Sequence, residues 1–287
     1  MSLKTRILNF FRLLLKFPFF EKIICKYTQG RKLNTFIAKL PANYYQYPIN
    51  SIRNVNRNNI YFELDISDYM EWLIYFGIQV EPREKLFSLS NNANIVFDIG
   101  ANIGETTLNF SKRINSNGMI HSFEPADNCY KKLEKNILLN KFINIKVNYF
   151  GLGDTEGKFY LESDVKNNKG ANKVHLNSQK ESNIEIKRLD NYVENEKIEK
   201  IDLIKIDVEG FEYNVLIGGE LSIGKFRPVL FIELDDNNLK QQNSSAQKLI
   251  LFLEKYYSRI VEAESENIIN SKMDFSLCHF DIIASNN

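Results

Sequence analysis

From about residue 95 to the C-terminus, hydrophobic and polar positions alternate between strand-like and helix-like spacing. Short apolar runs predict strands at residues 95–98, 119–123, 143–147, 203–207, 229–235 and 278–284. Segments with apolar residues three or four positions apart predict helices at residues 106–114, 128–140, 211–217 and 245–259. Strands that alternate with helices predict an α/β fold, built on a doubly wound, mostly parallel sheet with right-handed crossovers.

A polar insert interrupts this pattern between the third and fourth strands of the predicted sheet. Residues 158–161 and 184–187 alternate like the two strands of a surface hairpin, and residues 166–183 between them are rich in Asn and Lys. Long loops at strand ends of such folds are often functional. We therefore expect a lid or an acceptor loop, with a surface loop that has no role in catalysis as the alternative.

The first part of the chain follows a different pattern. Residues 50–59 are typical of turns, residues 60–66 alternate like a strand, and residues 68–76 have helical spacing that ends at Gly77. We expect residues 1–80 to form a mainly helical extension with some strand. Residues 81–287 should then form the α/β domain.

An amphipathic helix is predicted at residues 3–17, ending before Pro18. Its apolar side carries Leu3, Ile7, Phe10, Phe11 and Leu14, and its polar arc carries Thr5, Asn9, Arg12 and Lys16. Such a helix packs on the rest of the protein or across a homodimer, or it lies on a membrane surface. The short length and the few charges of its polar arc favour packing.

Composition narrows the location and the partners. No apolar run reaches the roughly 18 residues of a membrane span. Arg12 and Lys16 interrupt the first apolar stretch, and no small-residue cleavage site follows it. We therefore expect an unprocessed cytoplasmic protein, with the inner membrane surface as the alternative. The net charge of +1 gives no overall basic surplus for nucleic acid, so we expect no nucleic-acid partner, with a local basic patch as the alternative. The three cysteines indicate neither a zinc site nor a disulfide framework.

A glycine turn follows the first strand of the α/β domain, where open α/β sheets bind their ligands. It reads Asp98-Ile99-Gly100-Ala101-Asn102-Ile103-Gly104. The dinucleotide fingerprint GxGxxG and the GK[ST] ending of a P-loop are both absent from this sequence. The turn suits a ligand without a pyrophosphate, such as S-adenosylmethionine, whose sulfonium and ammonium groups favour a carboxylate such as Asp98. A turn with a purely structural role is the alternative.

Acidic residues follow the next two strands. Glu124 ends the second strand, 26 positions after Asp98, and an acid there can accept hydrogen bonds from both ribose hydroxyls. Asp154 lies in a Gly-x-Gly-Asp turn after the third strand and is a candidate for contact with the adenine amino group. The structural alternatives are a solvated acid before Pro125 and an ordinary turn.

The fourth strand carries charged residues within an apolar run. Lys205 and Asp207 point to one face, because strand side chains alternate, and a buried lysine requires a partner. We expect Glu233, in the middle of the next strand, to pair with Lys205 near the floor of the cleft. A purely structural ion pair is the alternative.

Asp207 and Glu209 are then expected at the mouth of the cleft. A carboxylate there can take up the proton of the hydroxyl group that receives the methyl group. Alternatively, the two carboxylates can hold a divalent cation that acidifies this hydroxyl. The sequence leaves this choice open. For Glu209, a structural role at the start of the following helix is the alternative.

The remaining polar candidates have structural interpretations. Asp190 is expected to cap the helix in which it lies. The histidines His121, His175 and His279 show no metal-ligand spacing. His121 and His279 are expected to pack within strands, and His175 lies in the polar insert.

Five blocks occur in order: residues 96–104, 123–125, 151–154, 188–190 and 201–212. Together they resemble the FkbM family of methyltransferases, over roughly residues 81–234. The resemblance implies a class I methyltransferase fold, S-adenosylmethionine as donor and O-methylation of a hydroxyl, often in sugar, glycolipid or polyketide pathways. It implies donor contacts for Asp98, Gly100, Asn102, Gly104 and Glu124, and an acceptor side at residues 205–209. N-methylation of an aminosugar or peptide, or an inactive nucleotide-binding scaffold, are the alternatives.

Overall fold

The structure is a computed structural model that describes residues 9–10, 12–13, 15–79, 83–163, 172–175 and 181–286. The chain divides into two compact units, one built from the described residues up to Arg83 and one that begins at Glu84. The boundary expected from the sequence lies at residue 80. Among the described residues, no helix is both long and apolar enough to cross a bilayer.

The N-terminal unit combines helices with a two-stranded hairpin. Its described elements include helices α1 (Pro18–Thr28) and α2 (Tyr69–Phe76), 3-10 turns at Ile37–Lys39 and Tyr44–Gln46, and antiparallel strands β1 (Ile52–Arg57) and β2 (Ile60–Asp65). Asn58 and Asn59 join the strands with φ of 51° and 60°, as a two-residue hairpin turn requires. The prediction of turns throughout residues 50–59 is therefore wrong, because most of that segment is strand β1.

The predicted N-terminal helix is described only in part. Asn9, Phe10, Arg12 and Leu13 are helical, and residues 1–8, 11 and 14 lie outside the described residues. Arg12 is buried and donates to the carbonyl of Lys39, and the Lys16 ammonium donates to the carbonyl of Gln46 at 2.6 Å. Two described residues of the polar arc, Arg12 and Lys16, are thus bound to the N-terminal unit.

The second unit is built on a seven-stranded sheet. Its strands are β3 (Ile95–Ile99), β4 (Met119–Phe123), β5 (Ile145–Asn148), β10 (Leu203–Ile206), β11 (Val229–Asp235), β12 (Arg259–Glu262) and β13 (His279–Ser285), and their order is β12-β13-β11-β10-β3-β4-β5. The strands from β11 to β5 are parallel to their neighbours, whereas β13 is antiparallel to both β11 and β12. The predicted α/β fold, built on a doubly wound and mostly parallel sheet, is confirmed.

Helices cover the sheet on both faces. They are α3 (Arg83–Leu89), α4 (Glu105–Ser111), α5 (Asp127–Asn140), α6 (Leu189–Asn195), α7 (Glu212–Gly218), α8 (Glu220–Phe226), α9 (Asp236–Gln241) and α10 (Ala246–Glu254). Alternate strand residues enter different apolar clusters: Phe97 and Ile204 lie in one, Val96 and Leu203 in the other. The core therefore occupies both faces of the sheet, and ligands have access only at the strand ends.

A small sheet stands beside the main one. It contains β6 (Gly151–Leu152), β7 (Gly157–Ser163), β8 (Asn172–His175) and β9 (Ile184–Lys187), in the order β6-β9-β7-β8. The predicted pairing of residues 158–161 with 184–187 is confirmed in part, since residues 157–159 of β7 pair with β9. Most of the polar insert, including residues 176–180, lies outside the described residues, so its role as a lid stays a prediction.

Two predictions about local structure are wrong, and one helix was not predicted. The helix expected at residues 245–259 ends at Glu254, and the edge strand β12 begins at Arg259. Helix α8 was not expected after the paired glycines that end α7. Asp190 does not cap its own helix; its carboxylate accepts from the amides of Leu221 and Ser222, at 3.2 and 2.8 Å, at the start of α8. Tertiary packing supplies the partner in this last case.

Candidate active site

The glycine turn connects β3 to α4 at the carboxyl end of the sheet. The amides of Gly100 and Ala101 both donate to the carbonyl of Phe123 at 3.0 Å. The amide of Asn102 donates to the Glu124 carboxylate at 2.8 Å. The turn is therefore fastened to the end of β4, which brings together the two segments expected to bind the donor.

The close approach of neighbouring protein atoms explains why glycine occupies positions 100 and 104 of this turn. Gly100 has a φ of 80°, and a Cβ there would lie 1.9 Å from the carbonyl oxygen of Asp207. Gly104 has a φ of 93°, and a Cβ there would lie 2.6 Å from the Leu133 side chain. Only glycine combines this backbone conformation with such close approach. Gly100 thus brings the turn close to the end of β10.

Asp98 is fully buried beneath the turn. One carboxylate oxygen accepts a hydrogen bond from Thr107 Oγ1 at 2.6 Å, and the other lies 3.5 Å from the Lys205 ammonium. That second oxygen receives no hydrogen bond from the described part of the chain. Burial raises the pKa of Asp98, and the charge of Lys205 opposes the rise. Asp98 therefore organises the turn through Thr107 and Lys205, and its contact with the donor stays a prediction.

Lys205 is buried at the centre of the site. Its ammonium donates to the carbonyl of Gly100 at 2.8 Å and forms ion pairs with Asp98 and Asp207, at 3.5 and 3.4 Å. Burial lowers the pKa of Lys205, but the carboxylates of Asp207 and Asp98 outweigh it, so the net shift is upward. Lys205 therefore stays charged and links the glycine turn to the end of β10.

The expected ion pair between Lys205 and Glu233 is not formed. Strands β10 and β11 are neighbours, as predicted, but the register places Lys205 beside Phe231 on β11 and beside Asp98 on β3. Glu233 lies two residues further along β11. The partner of the lysine is therefore on the other neighbouring strand.

Glu124 is buried where β4 ends. Its two carboxylate oxygens accept hydrogen bonds from the amides of Asn102 and Ala126, both at 2.8 Å. Burial raises the pKa of Glu124 to about 7 in spite of these two bonds. Each carboxylate oxygen can accept a further hydrogen bond, so the group retains the capacity to bind a ribose hydroxyl.

Three acidic side chains gather at the carboxyl ends of β10 and β11. Asp207 is about half exposed (48%), and Glu209 accepts a hydrogen bond from Asn238 Nδ2 at 3.3 Å. Burial, together with the charges of Asp207 and Glu209, raises the pKa of Glu233 to about 10. Glu233 is therefore protonated at neutral pH and can donate a hydrogen bond. The expected grouping of these residues agrees with the sheet topology.

Glu212 is a site residue that the sequence reasoning missed. It is buried, and its Oε1 accepts from the amides of Val208 and Gly210, both at 3.0 Å. Glu209 between them has a φ of 55°, which is unfavourable for a residue with a side chain. Glu212 thus stabilises the conformation of the loop that carries Asp207 and Glu209. Its position two residues after Gly210 was the available signal.

Asp154 lies at the edge of the site, after β6. Its carboxylate accepts a hydrogen bond from Asn214 Nδ2 at 3.2 Å, and its carbonyl accepts one from Arg188. Arg188 also donates to the carbonyl of Ile217 at 3.3 Å. Asp154 is therefore tied to α7, and its expected contact with adenine stays a prediction.

Two of the histidines, His121 and His279, have polar partners, and the side chain of His175 lies outside the described part of the structure. His121 is buried, with Nδ1 2.7 Å from the hydroxyl of Tyr192, and burial lowers its pKa to about 4. His279 lies 2.8 Å from Asp235, but its side chain is 66% exposed, so the expectation that it packs within its strand is wrong. Among the residues that the structure describes, no group of three or more His, Cys, Asp or Glu side chains is arranged to hold a metal ion.

The site geometry agrees with the similarity of the chain to known proteins. The profile of the Methyltransferase FkbM domain matches residues 98–260, which is more than half of the chain. The chain belongs to the FkbM methyltransferase family. The matched segment contains the glycine turn, Glu124 and the acidic residues of β10 and β11, and residues 1–97 precede it.

Two curated relatives and one solved structure illustrate the similarity. Methyltransferase sdnD of Sordaria araneosa is 30% identical over 53% of this chain and 70% of its own length. Methyltransferase 1 of Beauveria bassiana is 26% identical over 44% of this chain and 58% of its own length. A methyltransferase FkbM from Methylobacillus flagellatus superimposes with a TM-score of 0.41 and 16% identity, covering 67% of this chain and 44% of that one.

This FkbM family member is an S-adenosylmethionine-dependent methyltransferase. The predicted cofactor residues suit such a donor, because the turn is fastened to a buried carboxylate, Glu124, and has no P-loop lysine for a phosphate. A buried carboxylate with remaining acceptor capacity is appropriate for a ribose diol.

At pH 8, above the pKa of about 7 that burial gives Glu124, we expect Glu124→Ala to weaken binding of S-adenosylhomocysteine by about 1.5–3 kcal/mol, because a charged hydrogen-bond acceptor is lost. Isothermal titration calorimetry measures the change. Glu134→Ala is the matched control, since Glu134 is an exposed residue of the following helix that contacts Tyr130. Thermal unfolding of both variants separates a loss of binding from a loss of fold.

An analogue of S-adenosylhomocysteine that lacks the ribose 2′-hydroxyl makes this test more specific. If Glu124 binds the ribose, the substitution should weaken the analogue less than it weakens the parent compound. Equal affinity of wild type and Glu124→Ala for the parent compound would contradict the ribose role.

Proposed function

We propose that this enzyme transfers the methyl group of S-adenosylmethionine to a hydroxyl group, carried by a sugar or a glycolipid. The observation that carries the proposal is the half-exposed carboxylate of Asp207 beside the buried ammonium of Lys205, 3.4 Å away. A carboxylate in this position can accept the proton that an acceptor hydroxyl must lose.

On the donor side, Gly100, Ala101, Asn102 and Gly104 form the turn and Glu124 accepts from the ribose. S-adenosylmethionine supplies an electrophilic methyl group and its own leaving group. The chain therefore needs to supply orientation and proton removal. Asp98 takes part through Lys205 and Thr107, as a positioning residue.

On the acceptor side, Asp207 is the proposed base and Glu209 is the second candidate. Lys205 forms an ion pair with Asp207 and links it to the carbonyl of Gly100 in the glycine turn. Glu233, neutral because of its raised pKa, can donate a hydrogen bond to an acceptor oxygen without adding negative charge.

The charge of the site favours some acceptors over others. Ionised carboxylates at the strand ends repel a phosphate or carboxylate close to the reacting group. A neutral hydroxyl is compatible with the site, and so is a protonated amine. N-methylation of an aminosugar is therefore the second candidate, supported by the same acidic residues.

Mass spectrometry of products tests the proposal. The enzyme is incubated with trideuteromethyl-labelled donor and a panel of neutral glycosides, glycolipids, aminosugars and peptides, and the labelled position is found by fragmentation. We expect label on oxygen of a sugar. Label on nitrogen would support the second candidate, and a chain that binds neither donor nor product in calorimetry would be an inactive scaffold.

A further inference from the structure

Helix α1 of the N-terminal unit presents an apolar face to solvent. Phe19 and Tyr27 are 70% and 63% exposed, and Phe20 and Ile23 are 46% and 39% exposed. Phe19, Ile23 and Tyr27 are spaced four residues apart and so form one stripe along the helix. Phe17, 61% exposed, continues it just before the helix. We call these five residues the aromatic stripe.

The opposite face of α1 is buried and fixed by polar contacts within the same unit. Glu21 accepts from Arg53 Nε at 2.7 Å and from the Tyr75 hydroxyl at 3.0 Å. Thr28 Oγ1 donates to the carbonyl of Phe76 at 2.6 Å, and Cys25 lies between them on the buried face. The helix is therefore held with its polar buried side inward, and rotation to hide the stripe would break these contacts.

The segment that contains the aromatic stripe is rich in basic residues. Residues 9–40 contain seven Lys or Arg and a single acidic residue, Glu21, giving a net charge of +6, whereas the whole chain has a net charge of +1. Glu21 is buried in its ion pair. Lys22 and Lys26 lie along one border of the stripe, and Arg31, Lys32 and Lys39 are also exposed. The exposed charge of this segment is thus entirely positive.

We propose that the aromatic stripe and its lysines dock the enzyme on the surface of an anionic membrane. An interfacial helix buries Phe and aliphatic side chains at the headgroup boundary, while Lys and Arg attract anionic lipid. Exposed apolar patches rimmed by charge mark such interaction sites. Phe and Ile suit acyl chains, whereas Ile offers no ring for stacking on a nucleic-acid base. The proposal concerns a surface outside the matched FkbM segment and does not depend on the identity of the methyl acceptor.

Vesicle flotation with the full chain tests the proposal. The probes are vesicles of phosphatidylcholine alone and of phosphatidylcholine with 30% phosphatidylglycerol. We expect the chain to float with the anionic vesicles and to dissociate from them as salt increases. Phe19→Ser/Ile23→Ser/Tyr27→Ser should reduce the partition coefficient at least about tenfold. Lys22→Gln/Lys26→Gln should reduce it roughly fivefold per lysine.

Leu138→Ser/Ile143→Ser is the matched control, since these two side chains are also exposed apolar residues, at 77% and 94%, but lie in the second unit. It should float like the wild type. Full-length protein that stays unbound, or a triple variant that floats like the wild type, would overturn the proposal. Sedimentation of all variants without vesicles identifies the competing outcome: a wild-type dimer that the triple variant converts to monomer, with no vesicle binding, would assign the stripe to a second copy of this chain.

Discussion

Asp207→Asn is expected to lower kcat by about 10²- to 10⁴-fold, the range that a general base contributes. Asparagine retains the size of the side chain and a hydrogen-bonding oxygen, but it cannot take up the proton of the acceptor hydroxyl. Affinity for S-adenosylhomocysteine should change by less than about tenfold, because the removed interaction acts mainly in the transition state. Initial rates and calorimetry on the same preparation provide both measurements.

Matched variants identify the base. Glu209→Gln in the same assay compares the second candidate, and Asp274→Asn is the control, because Asp274 is an exposed acid whose contact is with the nearby Ser276. Assays in excess chelator test whether a divalent cation takes part in the reaction, a question that the sequence leaves open. If kcat of Asp207→Asn equals that of the wild type both with and without chelator, Asp207 has neither role.

The main sheet could be predicted from the sequence because its strands are buried on both faces. Strands β4 and β11 begin and end at the predicted residues, since each is an apolar run bounded by polar or turn-forming residues. Strand β1 was missed for the opposite reason. Its sequence, with Arg53, Asn54 and Arg57, lacks apolar alternation, and its charged residues bind partners distant in sequence, such as Glu21.

The positions of the site residues could be predicted, but not all of their contacts. The rule that ligands bind at strand ends brought the glycine turn, Glu124 and Asp207 to one edge of the sheet. A lysine on a central strand has two neighbouring strands, and the sequence does not specify which supplies the counterion. The register selects Asp98 for Lys205, which leaves Glu233 buried and protonated.

Contacts between carboxylates and backbone amides could not be predicted from the sequence either. Glu212 and Asp190 look like ordinary first-turn acids in the sequence. In the structure, Glu212 folds the loop before its helix, and Asp190 caps a different helix. Contacts of this kind depend on how elements pack, which local sequence signals do not contain.

Lys205→Met should reduce the free energy of unfolding by about 3–5 kcal/mol, because removing one partner of a buried ion pair leaves an uncompensated charge. Asp98 has no exposed surface, and one of its carboxylate oxygens already lacks a hydrogen-bond donor within the described residues. Methionine fills a similar volume, so the cavity contribution is small. Urea unfolding followed by circular dichroism measures the loss.

The double variant Asp98→Asn/Lys205→Met separates this electrostatic cost from any loss of packing, because it removes both charges. We expect it to recover more than half of the stability lost in the single variant.

The stability deficit of Lys205→Met relative to the wild type should also depend on pH. Burial already raises the pKa of Asp98, so without Lys205 the folded protein binds a proton there more readily than the unfolded chain does. Stability therefore falls as pH rises above the unfolded pKa, and the deficit is larger at pH 8 than at pH 5. If the free energy of unfolding of Lys205→Met lies within about 1 kcal/mol of the wild-type value at pH 8, the ion pair does not stabilise the floor of the site.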